Sequence, residues 1–304
     1  MAHEQSGEPP RPSKPTRVTV PVIRAMKTRG ERIAMITAYD ATFAQMLDEG
    51  GADVLLVGDS LGMVVQGLDS TLPVTLDEMV YHCRSVARGA RRAMVVGDLP
   101  FMSWQPSLEQ AMRSAGRFLS EGGAQAVKLE GGVEAAETIR KLVSIGIPVM
   151  GHVGLLPQSV HAMGGFRVQG KTLEDAQRVL DDARAVADAG AFALVLEGIP
   201  SDLAARITAE LEIPTIGIGA GINCDGQVLV CYDLLGLTPN LRPKFVKRYA
   251  EFYAQGKAAA QTFCEEVKSS AFPAEEHSFG TVQRHPEAAR PSAVNAPTGY
   301  GPTH

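Results

Sequence analysis

Short apolar runs recur eight times along the chain, with stretches rich in helix-forming residues between them. In order, the runs are RIAMITAYD, ADVLLVGDS, AMVVGDLP, AVKLEGG, IPVMGHVG, FALVLEGIP, IPTIGIGAG and GQVLVCYD. They are continuously apolar rather than alternating, which is typical of parallel strands covered on both faces. Eight such β/α units predict an α/β fold of the (β/α)8 TIM barrel type, and a doubly wound open sheet is the alternative.

The segments between these runs are amphipathic and carry helix-terminal signals. TLDEMVYHCRSVARGA and SLEQAMRSAGRFLSEGGA, for example, open on Thr75 and Ser107 and contain Gly near their ends. Ser and Thr are favoured helix N-caps, and Gly is favoured just after a helix ends. These segments are therefore predicted to be the helices that cover the barrel.

Both ends of the chain differ in composition from the segment between them. Pro, Ser, Glu and basic residues dominate the start, and HPEAARPSAVNAPTGYGPTH at the other end lacks apolar periodicity. Such composition predicts disorder. We expect a flexible N-terminal tail over residues 1–17, a catalytic barrel over residues 18–279 and a disordered C-terminal tail over residues 280–304.

Charge and hydropathy exclude several classes of partner. The formal net charge is -5, and no run rich in Lys and Arg is interleaved with aromatic residues, so we expect no nucleic-acid partner. No uninterrupted apolar run reaches the roughly 18 residues of a membrane helix, and the first residues do not resemble a signal peptide. We therefore expect a cytoplasmic protein without a membrane partner. The four cysteines form no CxxC pair, which predicts reduced structural thiols rather than a zinc site.

Polar residues follow nearly every predicted strand. In a parallel barrel the active site is assembled just past the carboxyl ends of the strands. The polar residues at these positions are Tyr39, Asp40, Asp59, Ser60, Asp98, Lys128, Glu130, His152, Glu197, Tyr232 and Asp233. Their concentration at one end of the strands predicts a common site rather than a series of unrelated loop starts.

Three carboxylates come from neighbouring strands, the second, third and fourth. Asp59, Asp98 and Glu130 would repel one another in one pocket unless a cation lay among them. Oxygen ligands favour Mg²⁺ over zinc, and water and a chelating substrate would complete an octahedral shell. In the alternative interpretation, Asp59 or Asp98 is a helix N-cap.

Lys128 lies two residues before Glu130, so both side chains point to the same side of a strand. A lysine there is expected to bind an anionic substrate group or to form a Schiff base, and a salt bridge with Glu130 is the structural alternative. His152 is expected to hydrogen-bond a substrate oxygen, or else to be a core histidine whose hydrogen bonds are satisfied internally.

Nine motifs, in order and spacing, resemble those of the 3-methyl-2-oxobutanoate hydroxymethyltransferase family, also called ketopantoate hydroxymethyltransferase. They are TAYD, VGDSLGMVVQGLDSTLPVTLDEMVYH, DLPFMSW, AVKLEGG, GHVGLLPQSV, GGFRVQG, LVLEGIP, IPTIGIGAG and FPAEEHSF. The similarity spans about residues 17 to 279, and neither tail takes part in it.

This resemblance implies a (β/α)8 barrel of the phosphoenolpyruvate mutase and isocitrate lyase type. The implied reaction transfers a hydroxymethyl group from 5,10-methylenetetrahydrofolate to 3-methyl-2-oxobutanoate, giving 2-dehydropantoate and tetrahydrofolate in pantothenate biosynthesis. It further implies Mg²⁺ dependence and a homo-oligomer, commonly a decamer.

The resemblance also implies roles for the residues at the strand ends, with the general base at Glu197. Its metal positions fall on Asp59, Asp98 and Glu130, and its substrate contacts on Ser60, Asp98 and Lys128. We expect Asp59 and His152 to contact the substrate as well. Because Glu197 ends an apolar strand, partial desolvation is expected to raise its pKa and strengthen it as the base that takes the C3 proton.

Three other functions compete with this interpretation. An isocitrate lyase or mutase would share the metal carboxylates, but the chain lacks the KKCGH loop by which those lyases resemble one another. A class I aldolase would use Lys128 as a Schiff base and need no metal. In a barrel that serves only as a binding or scaffold protein, the carboxylates at the rim would have no catalytic role.

Overall fold

The computed structural model of the chain describes residues 16–239 and 243–280. The two predicted tails lie almost entirely outside these ranges. The chain divides into two compact units, residues 1–253 and 254–304, and the first contains all eight strands found in the described ranges.

The first unit contains a closed barrel of eight parallel strands. Each strand pairs with the next along the chain, and the last pairs with the first. The strands are β1 Ile33–Thr37, β2 Val54–Val57, β3 Met94–Asp98, β4 Ala126–Glu130, β5 Val149–Gly154, β6 Ala193–Glu197, β7 Thr215–Ile218 and β8 Gly226–Leu229. All eight lie within the apolar runs, so the prediction of a (β/α)8 barrel is confirmed and the open sheet is wrong.

Helices lie before β1, between most consecutive strands and after β8. They are α1 Val20–Arg29, α2 Ala41–Glu49, α3 Leu61–Val64, α4 Leu76–Gly89, α5 Leu108–Ser120, α6 Ala136–Ser144, α7 Leu173–Asp188, α8 Ser201–Glu210, α9 Cys231–Leu234 and α10 Phe252–Lys268. Short 3-10 helices span Val133–Ala135, Pro157–Ser159 and Glu275–His277. The described part of the second unit, residues 254–280, holds most of α10 and the last 3-10 helix.

The predicted helix starts at Thr75 and Ser107 are confirmed. The Thr75 hydroxyl accepts from the backbone N–H of Glu78, whose carboxylate accepts from the Thr75 N–H in return. Ser107 accepts from the backbone N–H of Gln110 at the start of α5. Each cap satisfies a backbone donor that has no partner inside the helix, which fixes where the chain leaves a loop and enters a helix.

The barrel is packed inside and out with apolar side chains. Its interior forms one cluster with α1, which contributes Ile23 and Met26. A second cluster lies between the strands and the surrounding helices. Gly97 of β3 lies so close to the ring of Phe118 in α5 that a side chain at this position would collide with it. Apolar side chains fill the interior toward the amino ends of the strands, here called the lower interior. The open space inside the barrel therefore lies toward the carboxyl ends of the strands.

None of the helices in the described ranges is both long and apolar enough to cross a membrane.

Candidate active site

The structure brings the seven residues that were expected to be catalytic, metal-binding or substrate-binding to a single cavity at the carboxyl end of the barrel. The cavity has a volume of about 100 Å³. Its polar lining includes Asp59, Ser60, Asp98, Lys128, Glu130, His152 and Glu197. Its apolar lining includes Leu56, Val195, Ile218, Val228 and Val230. The strand-end positions therefore do converge, as the barrel geometry predicts.

Other polar residues from the strand ends serve local structure instead. Asp40 is exposed and caps α2 by accepting from the backbone N–H of Phe43. Asp233 accepts from the hydroxyl of Thr238. Neither residue lines the cavity.

Lys128 makes an ion pair with Asp98 rather than with Glu130. Its Nζ lies 2.9 Å from Asp98 Oδ1, and both side chains are almost fully buried. The two residues are direct neighbours in the β3–β4 ladder, which brings them together across the strands. Among the described residues, no ion pair joins Lys128 to Glu130, so the alternative of a salt bridge within β4 is not found.

The environment of Lys128 keeps its side chain charged. Burial alone would lower its pKa, but Asp98, Glu130 and Asp59 raise the pKa above its ordinary value. A Schiff base requires a neutral amine as the nucleophile, and nucleophilic lysines are activated by a lowered pKa. Lys128 is therefore suited to holding an anion, and its environment disfavours the aldolase alternative.

The three carboxylates are buried, and burial raises the pKa of each. The pKa of Asp98 rises to about 7, with Lys128 acting in the opposite direction. The pKa of Asp59 is also raised, and that of Glu130 is raised well above its ordinary value. Neither aspartate is a helix N-cap, because Ser60 precedes α3 and Ser107 precedes α5. The carboxylates therefore carry a desolvation cost that helix capping does not account for.

His152 lies between Lys128 and Glu197. Its Nδ1 lies 3.1 Å from Lys128 Nζ, and its Nε2 lies 3.2 Å from Glu197 Oε2. Burial, together with the charge of Lys128, lowers the pKa of His152 well below its ordinary value, so the ring is neutral. Because the ammonium can only donate, Nδ1 is the acceptor and Nε2 carries the proton that faces Glu197.

Glu197 is the most accessible ionisable side chain of the group. Its side chain is 18% exposed, compared with 4% for Lys128 and 2% for Asp98. It ends β6, whose four preceding residues are all buried. Burial raises the pKa of Glu197 to about 7, and the charge of Lys128 opposes that rise. A carboxylate in this state is a stronger base than an ordinary one and is still substantially ionised near neutrality.

Two residues outside the predicted set also belong to the site. Gln158, in the loop after β5, donates through its side chain to Asp59 and through its backbone N–H to Glu130. The Tyr39 hydroxyl lies 2.9 Å from the Ser60 hydroxyl, which orients Ser60. Both lie in motifs that carry the family resemblance, TAYD and GHVGLLPQSV, but neither was assigned a role from the sequence.

The residues present fit Mg²⁺ by their chemistry. Glu130 Oε1 is a buried oxygen without a hydrogen-bond partner in the described part of the chain, and Asp98 Oδ1 is paired with Lys128. Within residues 16–239 and 243–280, no group of three or more His, Cys, Asp and Glu side chains is arranged to hold a metal by itself. Mg²⁺ usually binds through one or two carboxylates, with water and substrate oxygens completing its shell. The arrangement therefore fits an open site better than a closed protein cage.

Comparison with known proteins identifies the family. The family model described as ketopantoate hydroxymethyltransferase matches residues 17–275. The chain belongs to this family. A 3-methyl-2-oxobutanoate hydroxymethyltransferase of Carboxydothermus hydrogenoformans is 62% identical over 263 residues, covering 86% of this chain and 95% of the relative. One of the same name from Anaeromyxobacter dehalogenans is 55% identical over 306 residues, covering 96% and 99%. The predicted family and enzyme class are thus confirmed.

Solved structures share the fold of this ketopantoate hydroxymethyltransferase family member at low sequence identity. Phosphonopyruvate hydrolase, solved in complex with oxalate and Mg²⁺, has a TM-score of 0.57 and 11% identity, covering 85% of this chain and 92% of its own. The 2,3-dimethylmalate lyase, a member of the phosphoenolpyruvate mutase and isocitrate lyase superfamily, has a TM-score of 0.53 and 18% identity, covering 86% and 88%. These likenesses confirm the predicted barrel type.

Proposed function

We propose that the chain transfers a hydroxymethyl group from 5,10-methylenetetrahydrofolate to 3-methyl-2-oxobutanoate, giving 2-dehydropantoate and tetrahydrofolate. The observation that carries this proposal is the composition of the cavity. Glu197, a carboxylate whose pKa is raised, lines the same cavity as the buried ammonium of Lys128 and three further carboxylates. The names of the relatives support the same reaction. One water is consumed in the overall reaction.

The 2-oxo acid is placed by the polar side of the cavity. The ammonium of Lys128 is a fixed positive charge for the substrate carboxylate, and the Ser60 hydroxyl is available for a substrate oxygen. His152 is the third expected contact, with its protonated Nε2 on the side of Glu197. These groups hold the reacting carbon near the general base, which lowers the entropy cost of proton transfer.

Asp59, Asp98 and Glu130 would hold the divalent cation. When bound, Mg²⁺ would withdraw electron density from the 2-oxo acid and make its C3 proton easier to remove. Oxalate, which accompanies Mg²⁺ in the phosphonopyruvate hydrolase structure, has two adjacent oxygen-bearing carbons, as a 2-oxo acid does. That pairing supports the assignment of Mg²⁺.

Glu197 takes the C3 proton. Its electron pair forms the bond to that proton, and the electrons of the C3–H bond pass into the enolate of the 2-oxo acid. C3 then attacks the methylene carbon of the folate, and the bond from that carbon to one folate nitrogen breaks as the carbon–carbon bond forms; this nitrogen takes the proton that Glu197 removed. Water then replaces the second folate nitrogen at the same carbon, leaving the hydroxyl of the product, and its other proton goes to that nitrogen to give tetrahydrofolate. Lys128 keeps the substrate oxygens in place throughout, because its charge is held by Asp98.

Exchange of the C3 proton tests this proposal directly. The protein is incubated in deuterium oxide with 3-methyl-2-oxobutanoate, without folate, and with or without Mg²⁺. We expect deuterium at C3 only with the cation, and full turnover only when the folate is added. Exchange that persists in EDTA, combined with inactivation by borohydride and substrate, would instead identify the aldolase mechanism.

The assembly and location expected from the family also belong to this proposal. We expect a homo-oligomer, commonly a decamer, in the cytoplasm, and light scattering would measure the subunit number. A 32 kDa monomer at working concentration would refute the assembly, since the mass of one chain is 32.3 kDa.

A further inference from the structure

Gln158 touches two of the three proposed metal carboxylates. Its backbone N–H donates to Glu130 Oε2 at 3.0 Å, and its side-chain Nε2 donates to Asp59 Oδ2 at 2.9 Å. Asp59 follows β2 and Glu130 ends β4, so one residue of a loop links the ends of two strands that are not neighbours in the barrel. Gln158 is buried, with 6% of its surface exposed.

Two further contacts fix the orientation of the Gln158 side chain. Nε2 also donates to the backbone carbonyl of Leu99, just after β3, at 3.0 Å. Oε1 accepts from Gln105 Nε2 at 3.3 Å. Both acceptors at Nε2 require an amide N–H, so the reversed orientation of the amide would lose two hydrogen bonds. The side chain therefore has one arrangement that satisfies its partners.

The Glu130 carboxylate is held by Gln158 at one oxygen only. Gln158 occupies Oε2 of Glu130, while Oε1 of the same group has no hydrogen-bond partner in the described part of the chain. Hydrogen bonds to carboxylates are charge-assisted, and groups that orient metal ligands in this way tune cation affinity. The contact from Gln158 Nε2 orients the carboxylate of Asp59, which also lines the cavity.

We propose that Gln158 is a positioning residue that fixes the separation and orientation of Asp59 and Glu130 for divalent-cation binding. It acts through the carboxylates and does not touch the reacting atoms. The inference rests on the proposed function for the identity of the cation site, and its test is chosen to be read separately from turnover. Loss of such an orienting group typically weakens metal affinity about 10- to 100-fold.

The test compares two glutamines that link strands at opposite ends of the barrel. Gln158→Met keeps the length of the side chain and removes its donors, while the backbone N–H to Glu130 stays. The control is Gln125→Met. Gln125 lies just before β4 begins, far from the strand ends that form the cavity. Its side chain accepts from the backbone N–H of Val95 in β3. Mn²⁺ binding to the metal-free proteins, followed by electron paramagnetic resonance, gives cation affinity without substrate.

We expect Gln158→Met to bind Mn²⁺ about 10- to 100-fold more weakly than the wild type, and Gln125→Met to match the wild type. In turnover, the Mg²⁺ concentration for half-maximal rate should rise for Gln158→Met while the rate at saturating Mg²⁺ recovers toward wild type. A purely structural role would lower thermal stability in both variants and leave cation affinity unchanged, which would overturn the proposal.

Two further outcomes are read unambiguously. If the wild-type protein binds no Mn²⁺, the positioning role of Gln158 is overturned. If it binds Mn²⁺ but does not transfer the one-carbon unit, only the proposed function is contradicted. If Gln158→Met does not fold, Gln158→Asn repeats the test, because its amide is one methylene too short to reach Asp59. Wild-type Mn²⁺ affinity in the Asn variant overturns the proposal.

Discussion

The same strands supply apolar side chains to the lower half of the barrel interior and charged side chains to the upper half, at the carboxyl ends of the strands. Positions two residues apart on a strand face the same side, so β3 points Val96 and then Asp98 inward. Likewise β6 points Val195 and then Glu197 inward. The lower layers are apolar and closely packed, whereas the top layer holds buried charges.

This difference shows how stability and chemistry are divided along each strand. Buried apolar area stabilises the fold, while a buried carboxylate costs free energy unless it is ionised with a partner or neutralised. The barrel can carry the charged layer because the layers beneath it, including Met94 and Met150, are fully buried. The predictions below test whether the two layers are as separate as the structure indicates.

The largest expected effect is that of Glu197→Gln, in the upper layer. Glutamine keeps the size of the side chain but does not accept a proton near neutrality, so turnover and folate-independent C3 exchange should fall together by about 100- to 10,000-fold. Thermal unfolding should change little, because the substitution leaves the lower layers intact. Normal exchange with failed one-carbon transfer would move Glu197 from proton abstraction to folate activation.

In the lower layer, Met94→Ala should lower the stability of the fold and leave activity largely unchanged. Met94 of β3 is fully buried, and truncating such a side chain costs about 2–5 kcal/mol of unfolding free energy. Denaturant unfolding measures that loss, and kcat should stay near wild type at temperatures where the variant is folded. A large fall in kcat for the folded variant would show that the two layers are coupled.

The pH profile should report the protonation of Glu197. Burial raises its pKa to about 7, and only the ionised form is a base, so kcat/KM should fall about tenfold per pH unit below that value and level off above it. A carboxyl whose pKa is raised in the folded state contributes stability below its unfolded pKa, and this is lost as pH rises toward 7. The same group therefore slightly weakens the fold where it is most active. Comparison of thermal unfolding between wild type and Glu197→Gln across pH 5 to 8 checks that sign.

The smallest effect is expected at a helix start outside both layers. Thr75→Ala removes the cap of α4 and should cost about 0.5–2 kcal/mol of unfolding free energy, measured with denaturant. Because Thr75 does not line the cavity, C3 exchange should be unchanged. A matching loss of exchange would indicate that the start of α4 controls the site.

The predictable part of the site is the part encoded within single strands. The two-residue spacing of Lys128 and Glu130 places both on one side of β4, and the apolar residues before Glu197 account for its raised pKa. The ion pair of Lys128 with Asp98 was not predicted, because it depends on the register that sets Asp98 beside Lys128. That register follows from closure of the whole barrel, which no local pattern contains.

Gln158 shows the same limit more strongly. It lies in a loop without apolar periodicity, and its side chain meets Asp59, which is 99 residues away in sequence. Such a contact depends on how the loop after β5 folds back over the barrel. The fold class was therefore predictable from repeated local signals, whereas the residue that ties the carboxylates together was visible only in three dimensions.

The small volume of the cavity determines where substrate selectivity must arise. All 2-oxo acids present the same carboxylate and keto oxygens, so the charged layer alone discriminates poorly among them. The cavity has a volume of about 100 Å³, and its apolar walls include Leu56, Val195 and Val228. One methylene more or less against such walls changes binding by about 1–3 kcal/mol. We therefore expect the aliphatic residues around the charges, rather than the charges themselves, to set which side chain is accepted.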